Sequence, residues 1–204
     1  MSSFETGLEQ LGVRLPDEAI AGMLSYVDLM AKWNRVYNLT AIRDRERMIS
    51  HHLLDSLSVL AHLEGKTFAD IGSGGGLPGI PLAIACPDSE FTLVESNQKK
   101  SNFLKQCRIE LGLHNVRVEA RRVEEVSGHF DCVISRAFAD AAEFVNLSRH
   151  LLAEGGMLAA MKGKDPEGEL SRLPNDVEIV KVVRLEVPFV EGERHLVIMK
   201  TKSE

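Results

Sequence analysis

Cysteine is scarce in this 204-residue sequence, with Cys86, Cys107 and Cys132 far apart in apolar or helix-forming surroundings. An odd number at such spacing gives neither a disulfide framework nor a metal-ligand pattern, so all three are expected to be reduced packing residues. No stretch reaches the roughly 20 uninterrupted apolar residues of a membrane span, and the opening MSSFETGLEQ lacks the charged and apolar segments of a secretory signal. A cytoplasmic protein with no membrane partner, acting as a monomer, is the expectation. Positive charge is in deficit as well: the net charge is -6 at pH 7, which argues against binding nucleic acid through the whole surface but leaves local patches open. Internal repeats, low-complexity tracts and long linkers are missing too. What is present is an ordinary globular composition, 44% hydrophobic and 26% charged, in a chain long enough to bury a large core.

Two apolar patterns divide the chain. Residues 1–62 read as helices: Ile20, Leu24, Val27, Met30 and Ala31 share one face behind the start signals Pro16 and Asp17, and a second helix runs from about Arg45 to His62. From Lys66 onward short β-rich runs (TFADIG, EFTLVES, VRVEA, DCVISRA, GGMLAAMKG) alternate with helical segments, the signature of a parallel sheet covered by helices. The final runs, VEIVKVVRLEVPFV and ERHLVIMKTK, are separated only by a short turn around Gly192. No crossover helix fits there, so the last strand is predicted antiparallel. The expected α/β architecture is a helical cap over 1–62 and a Rossmann-like domain over 63–204.

The stretch FADIGSGGGLPGIPLAIACP, 68–87, holds five glycines within eight residues between a strand and a helix begun by Pro78. Backbone can approach a ligand closely at such a turn, and helix N–H groups point at it. Gly74, Gly76 and Gly79 satisfy G-x-G-x-x-G, and Glu95 follows at the end of the second strand, as in dinucleotide-binding folds. Asp70 discriminates between ligands. A carboxylate at the end of the first strand repels a pyrophosphate, whereas S-adenosylmethionine carries an ammonium and a sulfonium cation. Asp70 as a plain helix-cap residue is the alternative. Glu95 is then placed to accept from both ribose hydroxyls, Val123 to pack on adenine, and Glu124 to meet its amino edge, although most surface glutamates bind nothing.

After the fourth strand stand Ser135, Arg136 and Phe138. An Asn/Asp-Pro-Pro-aromatic turn, typical of enzymes that methylate exocyclic amines, is missing, and so is a cysteine nucleophile, since Cys132 lies mid-strand. Arg136 can pair with an anionic group, and Lys162 and Lys164 in MKGK make the mouth positive. His51 or His52 with Asp55 makes at best a poor metal pair, and a structural or RNA-facing role linking cap and domain is preferred. KWNRVYNLTAIRDRER interleaves basic residues with Trp33 and Tyr37, a pattern suited to RNA. The arginines are the RNA candidates there, and the two rings are better read as helix-packing anchors.

Nearly the whole chain resembles the bacterial small-subunit ribosomal RNA guanine-N7 methyltransferases, also called glucose-inhibited division protein B. The resemblance rests on WNRVYNLTAIRD, HHLLDSL, DIGSGGGLPGIPLAI, RRVEEV, VISRAFA, KGK and GERHLVIMK, in that order. It implies a class I S-adenosylmethionine-dependent methyltransferase fold with a mostly parallel seven-stranded sheet and an antiparallel last strand. It also implies cofactor contacts at Gly72, Leu77, Val123, Glu124 and Arg136, added to Asp70, Gly74 and Glu95 above. Arg136, between donor and acceptor, is the catalytic candidate. The implied acceptor is a guanine in the 530 loop of small-subunit RNA, free or in a ribosomal particle, along a path lined by Arg35, Arg43, Lys162 and Lys164. Members often carry proline where this chain has Gly75, and a small polar residue where it has Arg121. A dehydrogenase using NAD and a non-catalytic RNA-binding protein are the rival readings. Asp70 weakens the first, and the second leaves Asp70, the glycines and Glu95 without a role.

Overall fold

The structure, a computed structural model of the chain, describes residues 2–136, 138, 140–164 and 166–202. Among them, seven strands form one sheet: β1 (Thr67–Ile71), β2 (Glu90–Val94), β3 (Val116–Glu119), β4 (Phe130–Ser135), β5 (Leu152–Lys162), β6 (Val177–Arg184) and β7 (His195–Thr201), in the order β3-β2-β1-β4-β5-β7-β6. Pairing is parallel from β3 through β5, while β7 runs antiparallel to both β5 and β6. The strand order therefore reverses between β1 and β4, and in open α/β sheets a ligand crevice forms outside the carboxyl ends at such a point.

The α-helical segments are α1 (Ser3–Leu11), α2 (Asp17–Tyr37), α3 (Arg45–Met48), α4 (Asp55–Leu57), α5 (Gly79–Ala85), α6 (Gln98–Glu110), α7 (Ala141–Ser148) and α8 (Glu167–Leu170). On α2 the buried residues are Ala19, Met23, Tyr26, Val27, Leu29, Met30 and Asn34, with Ile20, Leu24 and Ala31 only partly buried. The buried stripe thus lies slightly to one side of the predicted face, because α2 packs against both α5 and α6 and that pair sets its rotation. The helix expected from Arg45 to His62 is broken into α3, a π-helical turn over Ile49–Leu54, α4 and a 3-10 turn over Leu60–His62. Between Ile49 and Leu57 every residue but His51 is buried, so this segment is packed all round and carries no solvent face for periodicity to mark.

Two apolar layers sandwich the sheet. One joins Phe4, Tyr26, Met30 and Leu53 of the helical segment to Phe68, Leu93 and Ile80; the other holds Ala69, Ile71, Val133, Phe144 and Leu158. Cys107 and Cys132 lie buried within the first layer, and burial pushes both thiols up. The β6–β7 connection is longer than the predicted turn at Gly192. Strand β6 stops at Arg184, and 185–194 forms a loop in which Leu185 N donates to Arg194 O at 2.7 Å. Pro188 has no amide for a ladder, and Leu185 and Val187 turn into the core.

Candidate active site

Side chains alternate along β1, so Phe68 and Asp70 face α5 while Ala69 and Ile71 face the opposite layer. That parity decides where Asp70 goes. The sequence pattern places it on an open rim; the structure buries it beneath the glycine turn, 1% exposed. Its Oδ2 accepts from Gly79 N at 3.0 Å, capping α5 where Pro78 has no capping side chain, and its Oδ1 has no partner. The helix-cap alternative thus describes one oxygen, and the other is left unpaired. Burial raises the pKa of Asp70 to about 7, against the opposing pull of the Gly79 amide, Ser73 and Arg136.

The turn itself leans on β2, with Gly72 N and Ser73 N donating to Val94 O at 2.9 and 3.1 Å. Gly74 has φ 59°, and a Cβ built there meets nothing nearer than Gly72 O at 3.8 Å, so the space before it is open. Gly79 has the contrary reason to be glycine: a Cβ would overlap Leu93 Cδ2 and Asp70 Oδ2, so its absence lets α5 begin hard against the sheet. At Gly75 a Cβ would make ordinary contacts with Met30 Cε at 3.4 Å and Leu39 at 4.0 Å, which leaves room for a different residue. Glu95, just past β2, is tied to the same turn: Oε2 accepts from Gly74 N at 2.9 Å and Oε1 from Asn97 N at 2.7 Å. Leu77 is buried against the first layer, Val123 is buried in the turn after β3, and Glu124 beside it is exposed.

Arg136 leaves the end of β4 and is held from the helical segment. Its Nη1 donates to Asp55 Oδ2 at 2.9 Å and to His51 O at 3.2 Å, while Arg194 Nε donates to Asp55 Oδ1 at 3.1 Å. One buried carboxylate thus sits between two guanidiniums about a quarter exposed, and the group carries a surplus positive charge. Asp55 links the 49–57 segment to Arg136 and Arg194, whereas His52, expected to share that link, hydrogen-bonds among the described residues only within the helical segment, with Nε2 2.9 Å from Thr40 Oγ1 and Nδ1 3.0 Å from His51 O, and its pKa is lowered to about 4 chiefly by burial. Lys162 departs from expectation. Its ammonium pairs with Glu169 at 2.8 Å and donates to Phe138 O at 3.1 Å, so it is an internal tie rather than a free charge at the mouth. Lys164, Arg35 and Arg43 are exposed. Trp33 packs between Tyr37 and Phe103 at 5.2 and 5.5 Å, which makes it the anchor the sequence suggests.

Tyr26, Arg194 and Glu169 escape sequence reasoning. Tyr26, wholly buried on α2, donates its hydroxyl to Gly75 O at 2.5 Å and fastens the helical segment to the glycine turn across 49 positions of sequence. Nothing near it in the chain signals that contact. A cleft of about 470 Å3 opens at the ends of β4 and β5, lined by Arg136, Phe138, Met161, Lys162, Lys164 and Glu169. A larger one, about 1070 Å3, lies at the amino ends of β1, β2 and β3, the wrong end of the sheet for the loop chemistry, and size alone does not make it the reaction site.

The family model described as rRNA small subunit methyltransferase G (GidB) matches residues 19–197. The chain belongs to this family. Among its relatives, the ribosomal RNA small subunit methyltransferase G of Neisseria meningitidis is 54% identical over 96% of each chain. That of Aromatoleum aromaticum is 50% identical over 98% of each chain. Of solved structures, the O-methyltransferase TomG from Streptomyces achromogenes, in complex with S-adenosylmethionine, superposes with TM-score 0.59 at 17% identity, covering 87% of this chain and 90% of that one. The putative methyltransferase yhhF from Escherichia coli does so with TM-score 0.56 at 17% identity, covering 74% and 87%. Identities this low show the shared fold, that of class I methyltransferases.

As a methyltransferase of this family, the chain uses S-adenosylmethionine as methyl donor, and the residues present fit it. The unpaired, buried Asp70 Oδ1 is an acceptor waiting for a donor, and the open space before Gly74 is where a ligand can approach backbone. In the free protein Asp70 is an acid below about pH 7 and a carboxylate above it. A cationic ligand that meets Asp70 would favour the carboxylate, so its binding below pH 7 would release a proton and weaken as the pH falls. Affinity for S-adenosylmethionine is expected to drop roughly 3- to 10-fold from pH 7.5 to 6. Asp70→Asn should flatten that slope; calorimetry in buffers of different ionisation enthalpy reads both. An unchanged slope in Asp70→Asn would assign the proton elsewhere.

Proposed function

We propose that the chain transfers a methyl group to N7 of a guanine in the 530 loop of small-subunit ribosomal RNA, acting as a cytoplasmic monomer on the RNA or a ribosomal particle. The observation that carries this reading is the composition of the cleft at the ends of β4 and β5. It offers cations and apolar surface, and its one carboxylate among the described residues, Glu169, is occupied by Lys162. Such a cleft suits a polyanion whose reacting atom needs no general base. Guanine N7 is that kind of atom, with a free lone pair and no proton to remove.

S-adenosylmethionine, when bound, supplies the methyl group on a sulfonium centre. Gly72, Gly74 and Leu77 shape its seat, Asp70 and Glu95 supply acceptors, and Val123 and Glu124 flank the base. Each Glu95 oxygen keeps a lone pair beyond the backbone amide it already holds. Arg136, fixed by Asp55, orients donor and acceptor, so rate comes from alignment and electrostatics. Residues 1–62 act as a cap over the domain 63–204 and carry Arg35 and Arg43 towards the RNA, and Lys164 in the lining of the cleft adds a third charge.

The test is incubation of the chain with S-adenosylmethionine and unmethylated small-subunit RNA, then nuclease digestion and mass spectrometry. N7-methylguanosine from the 530 loop supports the reading, and a methyl group on any other atom overturns it. Replacing Arg35, Arg43 and Lys164 together with alanine is expected to reduce the slope of log affinity against log salt by about 2 to 3, leaving S-adenosylmethionine affinity unchanged. A slope equal to wild type would make these three charges a solvated face only.

A further inference from the structure

Within the β6–β7 connection, Val187 to Val190 form a turn in which Val190 N donates to Val187 O at 3.2 Å. Pro188 is its second residue and Phe189 its third, with φ 63°. This is the pattern of a type II turn, whose third position calls for glycine or asparagine. A phenylalanine there strains the backbone, and its ring does not recover the cost by burial, since it stays 54% exposed. Phe189 lines instead a cavity of about 620 Å3 with Arg47, Ile49, Ser50, His51 and two carboxylates, Glu191 and Glu46, of which Glu46 already accepts from Ser3 Oγ at 2.6 Å.

Both sides of this cavity are fastened to the active-site arginine. The π-helical turn supplies Ile49, Ser50 and His51, and the His51 carbonyl accepts from Arg136. The connection that carries Phe189 also carries Arg194, whose Nε reaches the Asp55 carboxylate that holds Arg136. A local rule broken at an exposed aromatic, beside a π-helical turn, is the kind of departure that marks a functional position.

We propose that this cavity binds an unpaired guanine of the RNA, stacked on Phe189 with its Watson–Crick edge at Glu191; the proposal rests on the RNA-methylating function above. A flat exposed ring beside a cation suits an unstacked base and its phosphate. The carboxylate selects the base, because it only accepts. Guanine presents N1–H and N2–H2 side by side, two donors for two oxygens. Adenine and cytosine place an acceptor nitrogen beside their amino group, and uracil has a single donor.

Phe189→Gly tests this directly, because it removes the ring and relieves the turn. Its melting temperature is expected to be equal to or above wild type and its S-adenosylmethionine affinity unchanged, while kcat/KM for small-subunit RNA falls about 5- to 100-fold. Phe189→Tyr should restore most of the loss. A loss in kcat at saturating RNA identifies the bound base as the methylated guanine, and a rise in KM alone identifies a neighbouring guanine. Wild-type kinetics in Phe189→Gly would overturn the proposal and leave the methyltransferase function standing. Fluorescence anisotropy with a short unpaired RNA holding one guanine separates the two readings when no methylation is seen. Equal affinity of wild type and Phe189→Gly, or no preference over the same RNA with adenine, overturns the guanine site by itself.

Discussion

Gly74→Val is expected to abolish measurable binding of S-adenosylmethionine in a chain that still folds. The backbone at this position has φ 59°, a conformation that costs an L residue roughly 1–2 kcal/mol and a β-branched one more. The fold tolerates that cost, because an added Cβ would meet no atom closer than 3.8 Å. The side chain would instead enter the open space in front of the turn and displace the Gly74 amide that donates to Glu95. Both effects act on the ligand, so affinity should fall by at least about 100-fold while the melting temperature drops by a few degrees, on the order of 1–2 kcal/mol. Calorimetry and thermal denaturation on one preparation measure both. Gly79→Ala should show the reverse balance, since its Cβ collides with Leu93 and Asp70 and strikes the fold first. Wild-type affinity in Gly74→Val would remove the glycine turn from the cofactor site.

Asp55→Ala should be among the most destabilising single changes outside the apolar layers. It would leave Arg136 and Arg194 facing each other without the carboxylate that both now hold, in a region where Asp55 itself is almost wholly buried. Removing one member of a buried ion pair costs about 3–5 kcal/mol; the arginines here are a quarter exposed, so roughly 2–4 kcal/mol is expected. For a domain of this size that lowers the melting temperature by about 5–15 °C. Arg136→Ala separates structure from chemistry. Asp55 keeps Arg194 in that variant, so stability should fall by less than half as much, yet turnover should stay depressed at saturating S-adenosylmethionine. An Asp55→Ala protein that melts with wild type would show the three-residue group to be a surface ornament, and recovery of Arg136→Ala turnover at high cofactor would confine Arg136 to binding.

Local patterns carried much of the fold. The alternation of β-rich runs and helices is a matter of near neighbours, and a connection too short for a crossover forces β7 antiparallel whatever surrounds it. Gly74 and Gly79 are legible for the same reason, since a turn that must bend within eight residues names its residues in the sequence. The exceptions are instructive. The Arg45–His62 pattern reads as one helix, but a segment buried on all sides has no periodic face to show where its geometry changes.

By itself, then, the sequence determined the fold class, the glycine turn, and the strand ends on which Asp70, Glu95, Arg136 and Lys162 stand. Tertiary structure decided what each charge does there. Asp70 went beneath the turn because strand parity points it at α5; Lys162 met Glu169 of α8 and became an internal tie; Arg136 and Arg194, 58 positions apart in the sequence, were drawn to one carboxylate contributed by the helical segment. Parity, turns and helix caps are set within a few residues, where the chain's own covalent geometry governs. The partner of a buried charge is set by which distant segment packs against it, and no local pattern records that choice.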